Sequence, residues 1–356
     1  MKNKVVLVIN SLQVGGAEKV ILNIAKYLYT DLHENVVLVV LFPSTYKSNL
    51  PLGVEMLDLS KDSLPKKIFK LHKLKREARV ILSFLTFSNV LTLISKGIFS
   101  GRTKYIVAVR NDPFKENVGL LTRLLSYCFY RFSHTVIVQT HQIKLDMINS
   151  RLYGSLKYQI IPNYYDKNNL IHFDSFDYDN IDLSEYHVKF LSVGTKIFQK
   201  GFDELIETFN SLLGNNNVHK FCLIIAGLDS NHIDALKSKV KHKSIIILPK
   251  MHNLNYLFNQ CDYYVLNSRY EGFPNTLLEA INHGLLPIMR KGVSGVSEIH
   301  EMIPESYEYE TPLQLEKIVL RLTEDRKLLN PKSLCIVQNC YSRSAVLPLW
   351  FNLIKA

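Results

Sequence analysis

The chain has 356 residues, of which 47% are hydrophobic and 21% are charged, and its formal net charge is +11 at pH 7. This length and composition allow two domains with separate hydrophobic cores, and they exclude disordered and fibrous proteins. The longest apolar runs are strand-sized, which excludes a membrane-spanning helix of roughly 20 residues, and without an apolar signal segment we expect a cytoplasmic protein.

Strand-like apolar runs alternate with helix-length segments along both halves of the chain. The predicted strands of the first half are 5–9, 36–42, 80–84, 105–109, 135–138 and 159–161. Those of the second half are 189–193, 221–226, 244–248, 263–266 and 286–289. This alternation is typical of βαβ units with parallel sheets, so the sequence predicts an α/β protein with two doubly wound, Rossmann-like domains.

A segment with little hydrophobic periodicity, residues 165–187, separates the two halves and is rich in Asn, Asp and Tyr. We predict a linker there, between an amino-terminal domain over 1–164 and a carboxy-terminal domain over 188–342. Residues 343–356 are predicted to form a last helix. The only D-x-D, at 177–179, lies in the predicted linker and is interpreted as solvated acid.

Histidines and cysteines give no metal signal. The histidines are scattered without ligand spacing, and the five cysteines are odd in number and form no C-x-x-C motif. We therefore expect no metal site and interpret the cysteines as free thiols.

Positive charge is concentrated in the first half. Residues 1–164 carry 23 Lys and Arg against 10 Asp and Glu, a net +13, whereas residues 165–356 carry 20 against 22, a net −2. Seven cations between 66 and 79 flank an apolar stripe; this pattern fits a helix on anionic lipid, and equally an ordinary surface helix with solvated lysines. The predicted membrane contacts are Lys66, Lys67, Lys70, Lys73 and Arg76.

Two further observations concern the possible partners of the first half. The apolar segment 120–132, which contains Arg123 and Arg131, is a second candidate for lipid contact, but we expect it to be buried. Nucleic acid is not expected as a partner, because no recognised nucleic-acid-binding module accompanies the basic residues.

Two loops that follow predicted strands carry residues suited to phosphate. After strand 5–9, Gly15-Gly16-Ala17-Glu18 precedes a helix without the G-x-G-x-x-G spacing of dinucleotide-binding folds. Its glycines would let backbone approach a phosphate, although a plain turn is the alternative. After strand 189–193, the segment 194–202 brings Lys196 and Lys200 to the start of another helix.

The most informative segment is 269–280. Glu271 and Glu279 lie eight positions apart around a Gly-Phe-Pro-Asn turn that follows strand 263–266. Asn275 is predicted to cap a helix that opens at Thr276, so free backbone amides and the positive helix end would meet at the turn. The segment therefore predicts an anionic ligand.

These two acids, together with Ala280, Gly284, Pro287-Ile288 and Gly295-Val296-Ser297-Glu298, resemble the signature of retaining nucleotide-sugar glycosyltransferases of family 4. The resemblance implies the GT-B fold, in which two doubly wound Rossmann-like domains face each other across a cleft and a last helix, here 343–356, could return to pack on the first domain. It also implies transfer of a sugar, expected to be UDP-linked, to a saccharide acceptor with retention and without metal. A lipid-linked acceptor in capsule or O-antigen assembly would explain the basic domain.

The resemblance assigns roles residue by residue. Glu279 would hold the ribose, Glu271 the donor sugar, and Lys200 the diphosphate. The predicted catalytic residues are Glu271 and Lys200, which match the family's pattern, and Arg110 and Asn111, which stand where the family has a His. The implied donor-binding residues are Gly16, Thr195, Lys196, Lys200, Glu271, Gly272, Phe273, Pro274, Asn275, Thr276 and Glu279.

The sequence departs from the family pattern at two places. The Arg expected after Gly194 is Thr195, followed by Lys196, and a Lys cannot reproduce the bidentate contact of a guanidinium. The His expected after a first-domain strand is replaced by Arg110-Asn111-Asp112. Arg110 could stabilise phosphate, Asn111 could bond the sugar and Asp112 could orient the acceptor hydroxyl, and equally Asn-Asp-Pro could form a plain turn. These departures leave open a noncatalytic sugar-nucleotide or lipid-binding subunit, and, among enzymes, a GT-B epimerase.

Overall fold

The computed structural model describes residues 3–13, 16–44, 50, 53–97, 101–115, 119–166, 181–215, 221–250 and 254–355. The chain divides into two compact units, which comprise residues 1–163 with 343–356, and residues 164–342. Across the described ranges, no helix is both long enough and apolar enough to span a bilayer.

The first unit is a parallel sheet with helices on its faces. Its strands are β1 (Lys4–Ile9), β2 (Asn35–Val40), β3 (Glu55–Asp58), β4 (Ala78–Phe84), β5 (Lys104–Ala108), β6 (Thr135–Val138) and β7 (Tyr158–Ile160). Its α-helices are α1 (Gly16–Lys26), α2 (Leu64–Leu74), α3 (Thr86–Lys96), α4 (Leu120–Phe129), α5 (His141–Asn149) and, from the end of the chain, α14 (Arg343–Lys355). The strand order is β3-β2-β1-β4-β5-β6-β7.

The second unit has the same architecture. Its strands are β8 (Val188–Val193), β9 (Phe221–Leu228), β10 (Ile245–Pro249), β11 (Tyr263–Leu266), β12 (Leu286–Arg290) and β13 (Tyr307–Tyr309). Its helices are α6 (Ile197–Lys200), α7 (Phe202–Asn215), α8 (Ser230–Lys237), α9 (Asn255–Gln260), α10 (Asn275–Asn282), α11 (Val296–Met302), α12 (Pro312–Glu324) and α13 (Pro331–Tyr341). The strand order is β10-β9-β8-β11-β12-β13, with parallel neighbours.

Central strands form because both of their faces are covered. Residues 5–9 and 221–226 are fully buried in their respective sheets, which is the pattern expected of apolar strands with helices on both sides. In the first unit α3 packs between α2 and α4. Trp350 of α14 stacks on Phe84 with ring centroids 5.5 Å apart, and the Lys104 ammonium donates to the Leu353 carbonyl at 2.8 Å.

The predicted fold class of two doubly wound α/β domains is confirmed, whereas two strands, β3 and β13, were missed. Both are short, lie at a sheet edge and, apart from Tyr309, are only partly buried, so their sequences need no continuous apolar run. The predicted linker 165–187 is described only at its ends, where Leu183 and Tyr186 are buried in the second unit's core. The D-x-D at 177–179 lies outside the described residues.

Candidate functional site

The second unit brings two predicted loops together at one edge of its sheet. Strands β8 and β11 are parallel neighbours, so the loops after their carboxyl ends share that edge. The order β10-β9-β8-β11-β12-β13 reverses direction between β8 and β11. This is the topological switch point where open α/β sheets bind ligands. One loop carries Lys200, and the other carries Glu271.

Lys200 and Glu271 form an ion pair. The Lys200 ammonium lies 2.7 Å from Glu271 Oε1, and the two side chains are only 15% and 10% exposed. The Ser268 hydroxyl donates to the same carboxylate oxygen at 2.8 Å. Two residues that the sequence assigned to opposite ends of a donor are therefore in contact, and a third residue fixes the carboxylate.

The charge of Lys200 is stabilised where it lies. Burial is the largest single influence and lowers its pKa, but the attraction of Glu271, Tyr264 and Glu279 together with the hydrogen bond to Glu271 outweighs burial. The net shift is upward from 10.5. Because the ordinary value already lies far above neutral pH, Lys200 is a fixed cation under physiological conditions.

Two glycines make this position of Lys200 possible. A Cβ on Gly194 would lie 2.5 Å from Cγ of Lys200, so only glycine lets the lysine stem cross the end of β8. Gly201 ends α6 in the left-handed region, with φ of 64°, and a Cβ there would lie 2.4 Å from the Asn267 carbonyl oxygen. The loop backbone is thus shaped to present Lys200 to the other loop.

A second set of contacts clamps the two loops. The Arg269 guanidinium binds both carboxylate oxygens of Asp203, at 2.9 and 3.0 Å, and donates to the Phe198 carbonyl at 2.6 Å. The backbone N–H of Arg269 donates to the Gln199 carbonyl at 2.8 Å. A bidentate pair fixes the relative orientation of its two partners as well as stabilising them. The contacts of Arg269 therefore hold the loops of Lys200 and Glu271 at a fixed separation.

The first residue and the N-cap of α10, which follows the turn between the two acids, differ from the prediction. The helix begins at Asn275, with Pro274 at the N-cap and no side-chain cap, so the prediction that Asn275 caps the helix is wrong. The Oδ1 atom of Asn275 is buried and has no hydrogen-bond partner among the described residues. Thr276 Oγ1 lies 2.6 Å from the Tyr264 hydroxyl. The opening of α10 therefore offers backbone amides, a helix dipole and polar side chains.

Glu279 lies one to two turns into α10 and is half-buried. It is near enough to interact electrostatically with both Lys200 and Tyr165. Burial, and after it the Glu279 carboxylate, raises the pKa of the Tyr165 hydroxyl. The second acid thus belongs to the same charged cluster as the ion pair.

The other predicted donor contacts of this unit differ in exposure. Thr195 is half-buried and Lys196 is exposed ahead of α6. The Phe273 ring is buried and packs on Tyr341 with centroids 5.2 Å apart. Of Phe273, only the backbone is available to a ligand, whereas Gly272 has no side chain to obstruct one.

Arg110, predicted as a catalytic residue, makes its contacts in the interior of the first unit. It is 6% exposed, its guanidinium donates to Asn163, and it stacks over Phe84 at 5.3 Å from the ring centroid. The structure thus places this side chain in the interior of the first unit, and its assignment as a catalytic residue stays a prediction. Asn111 is half-buried. Gly16 is the first residue of α1, and Gly15 lies outside the described residues.

The predicted cationic helix is α2, and its exposed face differs from the prediction at one position. Lys66, Lys70, Lys73 and Arg76 are exposed. Lys67 is 6% exposed, and its ammonium lies 4.6 Å from the centroid of the Phe42 ring. Lys67 is therefore a packing residue and is withdrawn from the predicted membrane contacts.

Within the part of the chain that the structure describes, no group of three or more His, Cys, Asp or Glu side chains could hold a metal ion. The cluster around Glu271 instead pairs each acid with a nearby cation or hydroxyl.

Sequence reasoning missed three residues of the site: Tyr264, Ser268 and Arg269. Their signals were present but not specific, because a tyrosine in a strand and polar residues before a turn are common in any fold. The spacing of Ser268 three positions before Glu271 was the one usable clue, since this spacing allows a local hydrogen bond across a turn.

Comparison with known families agrees with this geometry. Residues 179–329, which include Lys200, Glu271 and Glu279, match the family described as Glycosyl transferases group 1. An uncharacterized glycosyltransferase of Methanocaldococcus jannaschii is 29% identical over 253 residues, which cover 66% of this chain and 61% of that protein. The O-antigen biosynthesis glycosyltransferase WclY of Escherichia coli is 22% identical over 276 residues, covering 74% of this chain and 75% of WclY.

Solved structures extend the comparison to nearly the whole chain. Anabaena HepE, in complex with UDP and glucose, superposes with a TM-score of 0.81 at 15% identity and 99% coverage of both chains. A sucrose-phosphate synthase from Thermosynechococcus elongatus gives 0.77 at 15% identity, with 99% of this chain and 98% of that chain covered. At such identities the likeness shows the fold, which is that of GT-B glycosyltransferases.

Proposed function

We propose that this GT-B chain transfers a sugar from a nucleotide diphosphate donor to a saccharide hydroxyl, with retention at the anomeric carbon. The observation that carries the proposal is the buried contact between Lys200 and Glu271 at the switch point of the second sheet. UDP is the proposed nucleotide, and support for it comes from the fold shared with HepE, which was solved with UDP and glucose.

Each group of the cluster has a role in donor binding. The Lys200 ammonium and the amides that open α10 would bind the diphosphate, and Glu279 would accept hydrogen bonds from the ribose hydroxyls. Glu271, turned toward Lys200 by Ser268, would accept hydrogen bonds from the sugar. Gly272 and the Phe273 backbone extend this surface, and Thr195 and Lys196 lie on the loop before Lys200.

The proposed chemistry needs no side-chain base. The bond between the anomeric carbon and the phosphate oxygen breaks, and the acceptor oxygen bonds that carbon on the same face. The acceptor proton passes to the departing phosphate oxygen. Lys200 and the helix amides stabilise the charge that develops on the leaving diphosphate, and fixed donors of this kind can replace a metal ion.

The first unit would supply the acceptor side, where Gly16 and Asn111 are the remaining candidates for contact with substrate. We propose a lipid-linked saccharide of surface polysaccharide assembly as the acceptor. The proposal is supported by the net +13 of residues 1–164, which suits the phosphates of such a carrier, and by the similarity to an O-antigen glycosyltransferase.

Peripheral membrane contact through α2 is part of the same proposal. Its exposed cations are accompanied by Phe69, which is 57% exposed and lies under the Lys73 ammonium at 4.8 Å. Each cation near an anionic surface contributes on the order of 1 kcal/mol. Replacing Lys66, Lys70 and Lys73 by Glu should therefore release the protein from anionic vesicles while nucleotide affinity stays the same.

Thermal shift with UDP-, GDP- and ADP-sugars, first without metal and then with Mg²⁺, tests the donor proposal. We expect one sugar nucleotide to stabilise the protein without metal, followed by release of free nucleotide when acceptor is present. Binding without any turnover would instead establish the noncatalytic subunit. A response that requires Mg²⁺ would overturn the metal-independent chemistry.

A further inference from the structure

The helical side of the first unit exposes an unusual amount of apolar surface. Among the described residues, seventeen large hydrophobic side chains are exposed, and eight of these lie between residues 114 and 152. Six of the eight lie on α4, on α5 and just after α5; these six, which we call the α4–α5 face, are Leu120, Leu121, Leu124, Leu145, Ile148 and Leu152. A concentration of this kind marks an interaction surface, because scattered single residues are the usual case.

The exposure is large at each end of this face. Leu120 and Leu121 are 75% and 69% exposed, and Leu124 is 49% exposed one turn later. Leu152 is 57% exposed. The expectation that residues 120–132 are buried is therefore wrong for Leu120, Leu121 and Leu124, whereas Leu125 of the same helix packs against the core and Ser126 is buried. The physical reason is that α4 packs on α3, and the opposite side of α4 is left to solvent.

The two halves of the face are joined through Tyr153. Its hydroxyl lies 2.8 Å from that of Ser126 on α4, and its ring contacts Tyr127 with centroids 4.8 Å apart. Since Leu152 directly precedes Tyr153, the apolar side chains after α5 lie beside α4. The leucines of the two elements thus belong to neighbouring parts of one surface.

Charge identifies the kind of partner. Residues 119–157 contain five Lys and Arg and a single acid, Asp146. Arg131 and Arg151 are exposed among the apolar side chains. Helix α3 packs between α4 and α2, so the cations of α2 lie on the same side of the sheet. Apolar side chains among excess cations fit the interface of an anionic bilayer, where leucines enter the acyl region and cations remain at the headgroups.

We propose that the α4–α5 face inserts into anionic phospholipid bilayers and is the apolar part of a membrane-docking surface whose electrostatic part is α2. The inference extends the membrane contact proposed above, and it does not depend on sugar transfer. Insertion and charge attraction are separable, because the leucines and the α2 lysines can be changed independently.

The first test compares matched substitutions. Replacing Leu120, Leu121 and Leu124 together by Ser leaves the charge unchanged and should weaken binding to vesicles of phosphatidylglycerol with phosphatidylcholine by at least about ten-fold. Leu313 and Leu328 of the second unit, 60% and 66% exposed, provide the control, and their Ser variants should bind like the wild type. UDP binding and the melting temperature, measured on every variant, separate this result from loss of the donor site or of the fold.

A second measurement does not alter the leucines. Cys128 is exposed on α4, one turn after Leu124, and can carry an environment-sensitive fluorophore once Cys335 and Cys340 are replaced by Ser. Burial raises the pKa of Cys222 to about 12 and that of Cys261 well above its usual value, so these thiols should not be labelled. Insertion predicts a blue shift with anionic vesicles and a smaller one with phosphatidylcholine alone.

Three outcomes would overturn the proposal. The first is failure of the wild type to bind anionic vesicles, and the second is equal binding by the wild type and the triple Ser variant. The third is a wild-type dimer that sedimentation shows to be split by the same three substitutions without any change in vesicle binding. In that case the α4–α5 face would be an interface between copies of this chain.

Discussion

The two units place their positive charge in opposite ways. In the second unit, Lys200 is buried at 2.7 Å from Glu271, and Arg269 is bound to Asp203. In the first unit, α2 and the segments beside the α4–α5 face carry exposed cations in excess of acids, and among those of α2 Lys70 pairs with Asp62 at 2.7 Å. Paired buried charges hold a small ligand in a fixed geometry, whereas exposed cations in excess of the nearby acids attract an extended anionic partner. The difference fits the proposed donor site in one unit and the proposed docking surface in the other.

The largest expected effect comes from Lys200→Met, which breaks the paired cluster. The substitution removes the cation proposed to stabilise the leaving diphosphate, so we expect transfer to decrease by at least about 100-fold. It also leaves Glu271 buried without its partner, which should lower the free energy of unfolding by up to about 3 kcal/mol. Lys237→Met on α8 is the control, since Lys237 is exposed. Unchanged kcat/KM would remove the site assignment.

The raised pKa of Lys200 sharpens this prediction. A lysine whose pKa is higher in the folded than in the unfolded protein stabilises the folded state. This stabilisation is complete at pH values below the unfolded-state pKa, and it is lost as the pH rises through the folded-state pKa. The stability difference between wild type and Lys200→Met should therefore be constant from neutral pH to near 10.5 and decrease above it. A difference that already falls between neutral pH and pH 9 would mean that Glu271 does not hold the charge of Lys200.

Glu279→Ala should have the next largest effect, and this effect should be on affinity. Loss of a charged hydrogen bond costs about 1.5–3 kcal/mol, so we expect the Kd of the nucleotide to rise roughly 10–100-fold. Glu301→Gln on α11 provides the control with an exposed acid. Isothermal titration with UDP measures both. An unaltered Kd for Glu279→Ala would place the ribose elsewhere.

Arg110→Met tests the buried cation of the first unit. Because its guanidinium binds Asn163 and stacks on Phe84, we expect loss of about 1–3 kcal/mol of folding stability. Donor affinity should stay unchanged, and kcat should fall far less than for Lys200→Met. A large decrease in kcat with an unchanged melting temperature would establish Arg110 as a catalytic residue. Chemical denaturation and steady-state kinetics distinguish the two results.

Much of the fold could be predicted from the sequence because its central strands are continuous apolar runs. β6 and β11 have the predicted bounds, and other central strands differ by one or two residues at an end. The edge strands β3 and β13 lack that signal, since burial on one side does not require an apolar run. Periodicity likewise could not tell whether the leucines of α4 face the core or solvent.

The site was predictable to the level of its motif and no further. The acids around the Gly-Phe-Pro-Asn turn were found because a turn, a helix start and two charges coincide in sequence. The contact of Lys200 with Glu271 depends on which strands are neighbours, and the sequence does not state this. The inward orientation of Arg110 depends on Asn163 and Phe84, which are distant in sequence. Long-range side-chain partners are therefore the part that required the structure.

The smallest expected effect comes from Ser268→Ala, which leaves every charge of the cluster in place. The Ser268 hydroxyl fixes one oxygen of Glu271 at 2.8 Å, and a hydrogen bond of this kind contributes about 1 kcal/mol. If Ser268 positions Glu271 on the sugar, kcat should fall roughly five-fold while UDP affinity stays the same, because UDP lacks the sugar that Glu271 is proposed to bind. Ser238→Ala, an exposed serine after α8, is the control. A rise in the Kd of UDP would instead mean that Glu271 acts on the diphosphate through Lys200. The Ser268→Ala variant therefore separates the role of Glu271 from that of Lys200.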